Sequence, residues 1–322
     1  MATRIHATGA PRRPARPRRR RGFVPMPSTT FRALASILAL TALTGCAGVP
    51  SPRPAAATPT APAPVSTPTA VPPPTATSTP TGCSETEGQV TSHEIPLPDD
   101  PRPLAYQLYL PPCFDPRSAV RYPSLYLLHG LAQTEAAWIQ LGVAAAADDL
   151  ILAGEAPPFA IVLPGERTGF DMLPIITKTL LPDLESSLPI GGAADLRAIG
   201  GISRGAGWAL RIGAQRPDLF SAIGMHSPAV ISPDLYLLPD WVRAVKGASL
   251  PRLWLDIGFD DTLLPEALEL RQALEKARWP YVSTIERGEH SSAYWSPRLH
   301  AYLRWYAAGW PAATLAGAGP PP

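Results

Sequence analysis

The chain has 322 residues, of which 45% are apolar, with 42 prolines and a formal charge of +2. Nine arginines and no acidic residue precede Cys46, leaving 19 basic against 26 acidic residues from Cys46 onward, a net of −7. The remainder is mildly acidic, which excludes a nucleic-acid footprint, and the early run "RPRRRR" reads as the basic flank of an export signal.

Residues 32–46, "RALASILALTALTGC", place a positive charge before a mostly apolar stretch of eleven residues and then small residues ending in cysteine. This is the layout of a secretory signal, too short for a permanent membrane span. Leu43-Thr44-Gly45-Cys46 resembles the bacterial lipobox, which implies that Cys46 becomes the lipidated first residue of the mature protein. Met26 heads a conventional signal of its own, so residues 1–25 read either as a long basic lead or as lying before the true start. Residues 1–46 are therefore assigned to the signal, and the protein is expected to be exported and anchored to the outer face of a bacterial membrane.

Residues 47–82 hold 11 prolines among 36 residues, with no aromatic and one charge. Such a segment buries too little apolar surface to offset its ordering entropy. It is expected to be a disordered tether reaching up to about 110 Å at roughly 3.1 Å per residue. Residues 83–310 are expected to form the catalytic domain, and 311–322 a disordered tail. Beyond the signal only Cys83 and Cys113 remain, and in an oxidising compartment they read as one disulfide. Closing a loop of about 31 residues would stabilise the fold by roughly 3–4 kcal/mol. With so few ligands no metal is expected, and no cofactor.

Strand-like runs follow at 105–110, 124–130, 159–164, 196–202, 221–227, 252–258 and 281–286, several of them almost continuously apolar. Strands buried on both faces by helices have this character. "PEALELRQALEKARWP" predicts a helix with Pro265 in its first turn and Ala267, Leu270, Leu274 and Ala277 on one face. "SPRLHAYLRWY" predicts another, capped by Ser296, that aligns Leu299, Tyr302, Leu303 and Tyr306. The alternation argues one α/β domain with a mostly parallel central sheet and helices on both faces.

"GGISRGAG" contains G-x-S-x-G on the joint between strand "RAIGGI" and helix "RGAGWALRIGAQ". That context makes Ser203 a candidate nucleophile on a tight strand-to-helix turn, with the helix N-terminus where negative charge would develop. A serine needs a base and the base an orienting acid, which in this arrangement follow in the order Ser, Asp, His. His290, in "ERGEHSSAYW", is the candidate base; His226 is expected to line the site but stands in the wrong order, and His93 precedes every expected strand. Asp260 and Asp261 both follow the strand "RLWLDIG" and either could orient the imidazole, whereas Asp256 reads as structural. The backbone N–H groups of Arg204 and of Leu131, in "HGL", are the candidate oxyanion donors.

"YQLYLPPCFDP", "RAIGGISRGAGWAL", "LDIGFDD" and "GEHSSAYW" together resemble the esterase D group of α/β-hydrolases, the "putative esterase" family, over roughly residues 103–308. The resemblance implies the α/β-hydrolase fold. Its G-x-x-D pattern selects Asp261 over Asp260, and its G-x-H-x-x-x-x-W context supports His290. The family often carries Met or Leu after the nucleophile where this chain has Arg204, and two glycines thereafter where Ala206 replaces the second. Arg204 could reach an anionic part of a substrate or form a salt bridge. The expected activity is hydrolysis of a small-molecule or polymer-borne ester. The alternatives are acyl transfer to a sugar or lipid hydroxyl, as in mycolyltransferases, or a non-catalytic binding lipoprotein. Trp138, "PGERTGFDM" and "DLYLLPDWVRAV" are expected to wall the substrate pocket.

Overall fold

A computed structural model describes residues 83–98, 100–245 and 249–311. The expected signal with Cys46, the tether, and all but the first residue of the expected tail lie outside them. Eight strands form one sheet: β1 (Gln89–Leu97), β2 (Asp100–Leu110), β3 (Ser124–Leu128), β4 (Ala160–Pro164), β5 (Arg197–Ile202), β6 (Ala222–His226), β7 (Arg252–Gly258) and β8 (Val282–Glu286). Their order is β1-β2-β4-β3-β5-β6-β7-β8. β2 pairs antiparallel with β1 and β4, and all later pairings are parallel. Strands β3, β4, β5 and β6 are buried at every residue.

The helices are α1 (Ala137–Leu141), α2 (Val143–Leu152), α3 (Met172–Pro174), α4 (Leu181–Ser187), α5 (Arg204–Gln215), α6 (Asp234–Ala244), α7 (Leu264–Ala277), α8 (Ser292–Trp295) and α9 (Leu299–Ala307). Successive strand residues face opposite ways, so the sheet feeds two separate apolar layers. Tyr126, Leu128, Ile199 and Met225 pack with Ala206, Ala209, Leu270 and Leu274 of α5 and α7. Leu125, Leu127, Ala198 and Ile202 pack with Val143, Ala147, Tyr302 and Tyr306 of α2 and α9. The expected faces of α7 and α9 are the buried ones, and each leucine so buried contributes about 1.5–3 kcal/mol.

Two expectations are corrected. β1 is a strand, so His93 lies within the sheet rather than ahead of it; only Ile95 and Leu97 of the nine residues are buried, which left no apolar alternation to read. The last helix does not start at a Ser296 cap: Ser296–Arg298 is a 3-10 turn between α8 and α9. Cys83 and Cys113 are disulfide-bonded with Cα atoms 5.9 Å apart, tying the start of the described chain to the end of β2.

Candidate active site

Ser203 joins β5 to α5 at φ 53° and ψ −122°, a region that costs a non-glycine residue about 1–3 kcal/mol. The turn is held from three sides. Ser203 N–H donates to the His226 carbonyl at 2.9 Å, and the Ser203 carbonyl accepts from Ala206 and Ala229, both at 3.0 Å. A Cβ at Gly201 would overlap the backbone of Gly205, and one at Gly205 the carbonyls of Leu128 and His129. The G-x-S-x-G spacing is thus required by backbone contact as well as by the turn itself.

Ser203 Oγ lies 2.9 Å from His290 Nε2, and His290 Nδ1 lies 2.8 Å from Asp261 Oδ2. A carboxylate only accepts, so Nδ1 carries the ring proton and Nε2 is free to accept from the serine hydroxyl. Asp261 is buried, and its other oxygen accepts from Leu263 N–H at 2.8 Å, which fixes the carboxylate on the loop after β7. Asp260, by contrast, is exposed and meets the histidine loop only through its backbone N–H, which donates to Gly288. The Trp295 and His290 rings stand nearly perpendicular with centroids 5.0 Å apart, and the indole N–H donates to Ser227 Oγ.

Leu131 follows β3 in a loop held by Gly130 N–H, which donates to Gln133 Oε1 at 2.7 Å. Arg204 is the first residue of α5, where N–H groups have no partner within the helix. Leu131, Ser203, Arg204 and His290 line one cleft of about 490 Å³, closed by Ala229–Ser232 and by Thr262 and Leu263.

The pocket walls differ from the expected ones. Trp138 is a core residue whose indole N–H donates to the Leu128 carbonyl, and α6 stops short of the cleft. Of "PGERTGFDM", Glu166 alone bears on the site: it accepts from Arg204 Nε and, at 3.1 Å, from the Trp208 indole. His226 does not line the cleft either. It is fully buried, with Nδ1 donating to Asp256 and Nε2 accepting from Tyr306 at 3.1 Å. Sequence reasoning placed Glu166 only within a wall segment, without its role, and passed over Gln133, at which only the HGL loop hinted. Cys83, Glu85 and Cys113 are the one cluster with metal-like spacing among the described residues, and its sulfurs are bonded to each other.

A mostly parallel sheet covered by helices on both faces, with a serine on the turn after β5, defines an α/β-hydrolase fold. The chain belongs to the "Putative esterase" family, whose model matches residues 101–306. It is 25% identical over 199 residues to an endo-1,4-beta-xylanase/feruloyl esterase of Xylanibacter ruminicola, covering 58% of this chain. The match spans about a quarter of that relative's length (25%). Among solved structures, a ferulic acid esterase superposes with a TM-score of 0.63 at 26% identity, covering 70% of this chain and 100% of the other. A Staphylococcus aureus fluorophosphonate-binding serine hydrolase shares the fold at a TM-score of 0.59 and 19% identity, over 69% of this chain and 99% of that one.

Proposed function

We propose that this protein is an exported, lipid-anchored serine esterase that works through an acyl-enzyme. Ser203 Oγ attacks the ester carbonyl carbon while His290 Nε2 takes its proton. The oxyanion is held by the N–H groups of Leu131 and Arg204. Collapse expels the alcohol, which leaves with the proton from His290. Water, deprotonated by the same nitrogen, then attacks the acyl carbon, freeing the acid and restoring Ser203. Asp261 keeps the imidazole in the required tautomer throughout.

The observation that carries this reading is the unbroken line from Ser203 Oγ through His290 to Asp261, at 2.9 and 2.8 Å, beside an accessible cleft. The feruloyl esterase relatives support aryl-acid esters as the first substrates to test. Full-length protein should hydrolyse nitrophenyl acetate and methyl ferulate, and Ser203→Ala should lower kcat by at least about 10⁴-fold. Equal turnover by the variant would contradict the proposal.

The anchor rests on the basic, apolar, small-residue run ending at Cys46 and on a disulfide suited to an oxidising compartment. Cells fed labelled palmitate should label the wild-type chain and not Cys46→Ser. Label on that variant would overturn the anchor without touching the chemistry.

A further inference from the structure

The mechanism above uses only the backbone of Arg204, and its side chain has a separate geometry. Arg204 lines the same cleft as Ser203 and His290. Its Nε donates to Glu166, whose carboxylate is further fixed by the Trp208 indole and whose own N–H donates to His129 Nε2 at 2.8 Å. Glu166 is 7% exposed and Arg204 33% exposed at their side chains, so the carboxylate is buried while the arginine keeps access to solvent. Among the described residues its two terminal amino groups donate no hydrogen bond, and the ion pair with Glu166 is made through Nε. A guanidinium offers five N–H donors in a rigid fork, and the brace engages one.

The location is informative. An arginine in the first turn adds positive charge to the positive end of the helix dipole, which disfavours it unless an anion is near. Glu166 answers part of that charge from below. Among the described residues no carboxylate lines the cleft, whose walls include Leu131, Val230, Ile231 and Leu263. The accessible end of α5 thus combines helix N–H groups with a braced guanidinium in a cleft whose other walls mix apolar side chains with Ser232 and Thr262, a setting that favours an anion.

We propose that Arg204 is the specificity-determining residue of the site, and that the substrate class is an ester carrying a second, anionic group, a free carboxylate. That carboxylate sits on the Arg204 fork while the scissile carbonyl sits on Ser203. The inference rests on the esterase reading above. The carboxylate could belong to the acyl or to the alcohol part, and two substrate pairs separate these sources. On the acyl side, the mono-nitrophenyl ester of adipic acid is compared with nitrophenyl hexanoate. On the alcohol side, para-acetoxybenzoate is compared with para-acetoxybenzamide.

For one pair the wild-type enzyme should prefer the carboxylated ester in kcat/KM by about tenfold or more at low salt, narrowing as salt rises. Arg204→Gln, which keeps a polar side chain but removes the charge, should bring that ratio to within about twofold of one. Glu166→Gln, which removes the competing carboxylate, should raise it. This second variant keeps the test open if Arg204→Gln does not fold. Equal rates within both wild-type pairs, or a preference that survives Arg204→Gln, or one that falls in Glu166→Gln, overturns the inference alone. Inactivity of the wild type on all four esters overturns the esterase reading and this inference with it.

Discussion

The backbone N–H of Ser203 donates to the carbonyl of His226 at 2.9 Å, so the strained turn is pinned to a strand end whose own side chain is sealed in the core. Below that carbonyl, Asp256 accepts from His226 Nδ1 and, at 2.7 Å, from the Tyr302 hydroxyl. Burial, followed by the Asp256 charge, pushes both Tyr302 and Tyr306 upward, so both phenols stay protonated and serve as donors. A second His–Asp pair thus lies under the first with no access to substrate.

Removing one partner of that buried set should be costly. Asp256→Ala leaves His226 and Tyr302 without their acceptor, an expected loss of about 3–5 kcal/mol. In a domain of this size that lowers Tm by roughly 6–20 °C. Thermal unfolding followed by circular dichroism checks it; a change under about 2 °C would mean the network is structurally idle.

Asp260 and Asp261 separate cleanly by kinetics. Asp261→Ala should reduce kcat by about 10⁴-fold, because the imidazole loses the partner that fixes its tautomer. Asp260→Ala, which removes an exposed side chain, should stay within a few-fold of wild type. A larger loss at Asp260 would contradict the site as drawn.

Asp148 gives a pH dependence of stability with a definite sign. Its carboxyl accepts from Tyr109 Oη at 2.7 Å and from Gly88 N–H at 2.9 Å, tying α2 to β2 and to the residue before β1. Burial, the largest influence, holds its pKa above the ordinary aspartate value. The folded state therefore binds this proton more tightly than the unfolded state, and its contribution to stability falls as pH rises from the ordinary aspartate value through the raised one. Asp148→Asn escapes that fall, so its Tm relative to wild type should be higher at about pH 6 than at about pH 4. The opposite trend would contradict the assignment.

The disulfide should matter more for stability than for chemistry. Cys83→Ser with Cys113→Ser opens a loop whose ends are 30 residues apart. The expected loss is about 3–4 kcal/mol in denaturant midpoint experiments. An unchanged midpoint would show that the N-terminal segment is held by its other contacts.

Much of this was legible in the sequence because the relevant signals are local. The buried runs of β3, β4, β5 and β6 leave little choice but a sheet covered on both faces, and Gly201, Ser203 and Gly205 encode the turn by sterics. β1 was not legible, since its exposed residues resemble a loop until β2 supplies the partner. The pocket walls were not legible either. Trp138 and a segment holding Glu166 were both expected as walls, yet only packing decides that the indole turns into the core while the carboxylate reaches Arg204. Chain order already favoured His290 over His226; the register of β6 and the loop after β8 supply the reason, burying one imidazole and turning the other to Ser203.

The central claim is that Ser203 is the nucleophile activated by His290. The most direct measurement is covalent labelling of the full-length protein with a fluorophosphonate, located by peptide mass spectrometry. The account predicts one phosphonylated site, on the peptide containing Ser203, slowed by at least about 10²-fold in His290→Ala and absent in Ser203→Ala. Labelling that persists in Ser203→Ala, or that maps to another residue in the wild type, would contradict it.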